Sequence, residues 1–159
     1  MARALYPGSF DPVTRGHLDL VERALRLFES VTIAAAENIS KQPVFNLEER
    51  LGLLRKVLPA QVEVVAFRGL VVDYCRTHGY DVILRGLRTM SDFEYEYQMA
   101  LTNRHLESRI ETVFVMPSVQ YSYVSSSLIK EIVRNGGDVS SFVPPLVEQR
   151  LQQKLRRPS

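Results

Sequence analysis

His17 closes the stretch Gly8-Ser-Phe-Asp-Pro-Val-Thr-Arg-Gly-His17, which carries too much proline and glycine to continue a strand and must shape a loop. The chemistry it suits is phosphate binding. Gly8 lets an anion approach the backbone, Ser9 offers a hydroxyl and an N–H, and Gly16 leaves room beside an imidazole at the positive end of a helix. A second group, Ser125-Ser126-Ser127 with Lys130 one turn after Ser126, combines helix N–H groups, hydroxyls and a cation with no acidic residue close by in sequence. Arg85 and Arg88 follow a buried apolar run, where guanidinium forks match phosphate oxygens, and Lys41 stands in a polar loop. Each also has a purely structural reading. His17 suits a partly buried cap, the serines ordinary helix caps, Lys130 and the arginines solvent, and Lys41 any polar loop; Cys75 reads as helix packing.

Short apolar runs alternate with segments of helical period, the signature of an α/β chain with a parallel sheet. Strands are expected at residues 2–6, 31–36, 62–67, 82–84 and 112–116. Helices are expected at 17–28, from Asn46 with Glu49 as a capping box, at 70–78 ending on Gly79, from Ser91 with Glu94 as a second capping box, at 125–134 and at 146–155. Five strands and right-handed crossovers predict a doubly wound sheet with helices on both faces and a C-terminal helix. Ligands in such sheets bind beyond the carboxyl ends of the strands. That rule gathers Gly8 to His17, Lys41, Arg85 to Arg88 and Tyr121 to Ser127 onto one rim.

A length of 159 residues fits one domain over the whole chain. A formal charge of +2, from 20 basic against 18 acidic residues, is too balanced for a nucleic-acid surface, so any anion site is local. The lone cysteine excludes an intrachain disulfide framework and suggests the cytoplasm. No apolar run approaches the roughly 20 residues of a spanning helix, which argues against a membrane. Neither G-x-x-x-x-G-K-S/T nor G-x-G-x-x-G occurs, so the common P-loop and dinucleotide fingerprints are absent.

The first stretch and Val124-Ser-Ser-Ser-Leu-Ile-Lys130 together resemble the two signatures of the nucleotidyltransferase superfamily with a T/H-x-G-H motif. Within it, Tyr6-Pro-Gly-Ser-Phe-Asp-Pro, Arg85-Gly-Leu-Arg-Thr-Met-Ser-Asp-Phe-Glu-Tyr-Glu96 and Asn103-Arg-His are similar to the bacterial phosphopantetheine adenylyltransferase family, over essentially the whole chain. The resemblance implies a Rossmann-like nucleotidyltransferase domain that moves AMP from ATP to 4'-phosphopantetheine. The products are dephospho-coenzyme A and pyrophosphate, the attack is in line without a covalent intermediate, and magnesium arrives on ATP with no protein ligand.

By the same resemblance His17 stabilises the α-phosphate, Lys41 steers the attacking phosphate, and Ser9 and Arg85 hold it. Arg88 and Ser125, Ser126 and Ser127 grip the ATP phosphates. Ser9 also serves ATP, and Phe10, Gly86, Leu87, Glu96, Tyr121, Ser122, Tyr123 and Val124 line the nucleotide pocket, while Leu70, Val71, Tyr95 and Asn103 face the pantetheine arm. The chain departs from the family pattern at Ser9, where Thr is common, and at Thr102, where Met is frequent. The resemblance further implies a cytoplasmic homohexamer inhibited by coenzyme A. Other enzymes of the superfamily, which adenylylate nicotinamide mononucleotide or use CTP on a small alcohol phosphate, lack the Arg85 to Glu96 block. A purely nucleotide-binding module has no need of His17 and Lys41, and a relative of class I tRNA synthetases would carry a basic stripe or an appended domain.

Overall fold

The computed structural model describes residues 1–39 and 42–156. Five strands, β1 (Arg3–Gly8), β2 (Ser30–Ala36), β3 (Glu63–Phe67), β4 (Val82–Gly86) and β5 (Glu111–Val115), form one parallel sheet in the order β3-β2-β1-β4-β5. The chain winds outward from β1 to β3, returns to the other side of β1 for β4, and ends at β5. The turning point lies between β1 and β4, where the following loops part and leave a crevice.

Right-handed crossovers put α1 (Arg15–Ala24) and α2 (Leu47–Val57) on one face, and α3 (Val71–His78) and α4 (Met90–Leu106) on the other. Helices α5 (Ser126–Arg134) and α6 (Pro145–Leu155) join the first face. There Leu20, Val21, Leu54, Ile129, Val133, Val147 and Leu151 pack on Tyr6, Ile33, Ala35 and Leu84 in one buried cluster. The opposite face is thinner: Val72 and Cys75 of α3 cover Leu5, Ala34, Phe67 and Ile83. Burial pushes the Cys75 thiol up to about 12, which suits packing and not nucleophilic chemistry. Helix α4 buries only Glu96 and leaves Met90, Phe93, Tyr95, Tyr97, Met99, Leu101 and Leu106 exposed.

Element types agree with the sequence reading, and the differences lie at their ends. Helix α1 starts two residues earlier, because Thr14 and not the Gly-His pair caps it. It tightens after Ala24, where Arg26 and Leu27 bond back three residues, so the pattern extending to Phe28 continues as turns. Asn46 and Glu49 form the expected capping box. At α4 the cap is Thr89, whose hydroxyl accepts from the Asp92 N–H; Ser91 lies inside the first turn, and its hydroxyl bonds that of Thr89. Strand β4 runs two residues past Leu84, which places Arg85 inside the ladder opposite Phe114. Among the described residues no helix is long and apolar enough to cross a membrane.

Candidate active site

Beyond the carboxyl ends of β1, β2, β4 and β5 lies a cavity of about 660 Å³, large enough for a nucleotide. Three of the four expected rim segments meet there. Ser9, Phe10 and His17 come from the first loop, Arg85, Gly86 and Arg88 from β4 and its exit, and Glu96 from α4. Tyr121, Val124, Ser125, Ser126, Ser127 and Lys130 come from the segment after β5. Lys41 lies outside the described residues, though its neighbours Asn38, Ile39, Gln42 and Pro43 line the cavity. Leu87, Ser122 and Tyr123 do not line it; the Leu87 N–H is taken up by the Val115 carbonyl. Neither do the residues assigned to the pantetheine arm. Leu70 (55% exposed) and Val71 begin α3, and Tyr95 (61% exposed) and Asn103 stand on α4, with Asn103 two turns from Glu96 on the same helical face.

The His17 ring is fixed from several sides. His17 is the third residue of α1, and its Nδ1 accepts the backbone N–H of Thr14 at 2.9 Å while its own N–H donates to the Thr14 hydroxyl. This is a capping box with histidine in the place of glutamate. An Nδ1 that accepts cannot carry a proton, so the neutral ring carries its proton on Nε2. Burial, with Arg88 and Arg85 adding like charge, pushes the His17 pKa down to about 4. At neutral pH the ring is therefore an uncharged donor. Phe10 holds it edge-on at 4.9 Å between centroids, and Tyr6 packs on Phe10 in turn. Phe10 is 3% exposed and adopts φ +51°, so what it can offer a ligand is backbone and not its ring. Gly8 permits this arrangement, since a Cβ there would lie 3.0 Å from the Phe10 ring.

Each described cation on the wall has a carboxylate. Arg85 grips Glu96 through Nε and a terminal nitrogen, at 2.6 Å for the shortest contact, and also donates to the Pro7 carbonyl. Arg88 bonds the Val124 carbonyl and pairs with Asp92 at 3.3 Å. Lys130 is not a free member of an anion cradle: its Nζ sits 3.3 Å from the buried Asp11 carboxylate, brought next to α5 by the fold. Two of the three serine hydroxyls are likewise engaged. Ser125 accepts the Leu128 N–H as the cap, and Ser126 donates to the Pro12 carbonyl. An anion at α5 would therefore meet first-turn backbone N–H groups and Ser127. Gly86 lies on the wall, but a Cβ there would strike the Leu20 side chain at 2.8 Å; the close packing of α1 on β4 requires it.

Sequence reasoning missed the groups that hold the rim in place. Asp11 accepts the backbone N–H groups of Val44 and Phe45, tying the loop before α2 to the His17 loop. Asp19 accepts from the Ser118 N–H and hydroxyl and from Arg23, tying α1 to the segment that carries Tyr121 and Val124. Burial alone would raise the Asp19 pKa, but the Ser118 and Arg23 hydrogen bonds bring it below the usual carboxylate range. Arg50 lies beneath the floor, donating to the carbonyls of Ser9 and Ala36, which line the cavity. The available signal was the spacing Thr14-x-x-His17, which has the form of a capping box.

The chain is similar to known proteins along most of its length. The cytidylyltransferase-like family profile matches residues 5–132. The phosphopantetheine adenylyltransferase of Thiobacillus denitrificans is 52% identical over 158 residues, covering 98% of this chain and 99% of that protein. The enzyme of the same name from Opitutus terrae is 50% identical over 154 residues, covering 96% of each. Among solved structures, Plasmodium falciparum nicotinic acid mononucleotide adenylyltransferase superposes with a TM-score of 0.69 at 13% identity, covering 95% of this chain and 94% of that one. A lipopolysaccharide core biosynthesis protein from Thermoplasma volcanium superposes with a TM-score of 0.55 at 21% identity, covering 74% of this chain and 97% of that one. At such identities these two structures speak for the fold only. Half of all positions shared with two full-length relatives carries more, and by it the chain belongs to the phosphopantetheine adenylyltransferase family of nucleotidyltransferases.

Proposed function

We propose that the chain carries out its family's reaction, transfer of AMP from ATP to 4'-phosphopantetheine with release of pyrophosphate, by direct attack of the acceptor phosphate on the α-phosphorus. The observation that carries this is the His17 imidazole, held neutral with its proton on Nε2 at the wall of a cavity ringed by cations and two helix N-termini. Catalysis of this kind consists of placing two anions in line and stabilising charge where it grows. A pre-oriented neutral donor strengthens its hydrogen bond as the α-phosphate gains charge, without first binding an anion tightly in the ground state.

The other roles divide by substrate. Arg88, the α5 N-terminus with Ser125, Ser126 and Ser127, and Phe10, Gly86, Leu87, Glu96, Tyr121, Ser122, Tyr123 and Val124 serve ATP. Ser9, Arg85 and Lys41 serve the acceptor phosphate, and Leu70, Val71, Tyr95 and Asn103 its pantetheine arm. Magnesium enters as part of the ATP substrate. In support of this, the wall carboxylates Asp11, Asp92 and Glu96 are already bound by Lys130, Arg88 and Arg85. The exposed apolar residues of α4 support self-association, for which a cytoplasmic homohexamer is the reading. Coenzyme A, which contains the product, is the competing inhibitor in this reading.

The test is pyrophosphate release from ATP and magnesium, comparing phosphopantetheine, nicotinamide mononucleotide and no acceptor. Release that needs phosphopantetheine, with dephospho-coenzyme A identified by mass, is the expected result. Release with the mononucleotide alone would overturn the acceptor assignment.

A further inference from the structure

Arg50 is 2% exposed, in the first turn of α2. One terminal nitrogen donates to two carbonyls, Ser9 at 2.8 Å and Ala36 at 2.9 Å, and its buried Nε has no hydrogen-bond partner among the described residues. The two carbonyls have a particular place. Gly8 opposite Ala35 is the last pair of the β1–β2 ladder, so Ser9 and Ala36 are the residues at which the strands part around the cavity, and both line it. Arg50 thus bridges the two strands where their own ladder stops.

A guanidinium is a costly way to hold two carbonyls. Burying the charge carries a penalty of several kcal/mol unless it is compensated. The carboxylate whose charge Arg50 feels is Asp11, which already accepts from Val44, Phe45 and Lys130. Asp11 is paired with Lys130, and among the described residues no carboxylate lies within ion-pair distance of Arg50, so positive charge is left over below Ser9.

Ser9 belongs to the acceptor side in the reading above, on which this inference rests. We propose that Arg50 is a positioning residue of the acceptor subsite: it fixes the Ser9 and Ala36 backbone and supplies buried positive charge beneath the incoming phosphate without touching it. The nucleotide side is held by other groups, so loss of Arg50 acts on one substrate.

The experiment compares the parent chain, Arg50→Met and Arg50→Lys in steady-state turnover with each substrate varied in turn, after thermal melts establish folding. Arg50→Met is expected to raise the KM for phosphopantetheine by about tenfold or more while the KM for ATP changes less than about twofold. Arg50→Lys, which keeps the charge, recovers most of that loss. Equal shifts in both KM values, no shift in either, or an Arg50→Lys enzyme as impaired as Arg50→Met would overturn the inference. Failure of both variants to fold would overturn it too, by making Arg50 a residue of the fold alone. A parent chain without phosphopantetheine-dependent turnover would refute the acceptor reading itself, and that failure is visible before any substitution is made.

Discussion

Replacing His17 with glutamine tests whether the imidazole is neutral, and stability against pH gives the reading a size. The pKa of His17 falls from 6.5 to about 4 in the folded chain. Because the folded state disfavours the protonated ring, His17 costs no stability above pH 6.5. Below that the unfolded chain takes up the proton first, and stability is lost as pH falls toward 4. At about 1.4 kcal/mol per pKa unit, the loss is about 2 kcal/mol at pH 5 and about 3 kcal/mol at pH 4. Carboxylates titrate in the same window, so the quantity to follow is the difference between the parent and His17→Gln, in urea unfolding at each pH from 7 to 4. Glutamine shifts stability by a constant amount and does not titrate. The difference between the two proteins should therefore narrow by about 3 kcal/mol from pH 7 to pH 4. A difference that stays flat would mean that His17 protonates as an exposed imidazole does. The hydrogen bond from Thr14 to Nδ1, and with it the neutral Nε2 donor, would then be wrong.

His17→Ala should leave ATP binding by calorimetry nearly intact while turnover falls roughly 10²-fold or more, the usual effect of losing a transition-state donor; turnover near that of the parent would remove the role. Asp19→Asn keeps the shape but weakens the tie to Ser118, and should raise the KM for ATP severalfold more than that for phosphopantetheine. Because the Asp19 pKa is depressed from 3.8, the parent should lose this tie only below about pH 4, with full effect at neutral pH. Gly137→Ala would bring a Cβ to 2.5 Å from the Ile132 side chain and 3.2 Å from its carbonyl, so urea unfolding should show a loss of about 1–3 kcal/mol with turnover per folded molecule unchanged.

The strands and the phosphate loop were legible because they are local: apolar runs mark the strands, and the turn residues and His17 fall within ten positions. The ends of elements were less so, since Thr89 rather than Ser91 caps α4 on the strength of one hydroxyl reaching Asp92. What sequence could not supply were partners. Arg85, Arg88 and Lys130 stand out as cations, but their carboxylates come from α4 and from a loop 119 positions away. The pairing changes what those cations can do. An unpaired cation inside a partly buried wall would be expensive to maintain without ligand, and Glu96, Asp92 and Asp11 remove that penalty. An incoming phosphate does not meet three bare charges, because it must use the remaining guanidinium N–H edges or displace a carboxylate. Affinity then reflects the difference between phosphate and carboxylate as partners, not the full attraction of the cations. Among the described residues, the groups left to favour an anion outright are the Gly16 N–H at the start of α1, the N–H groups of Ser126 and Ser127 at the start of α5, the Nε2–H of His17 and the uncompensated charge of Arg50 beneath the floor.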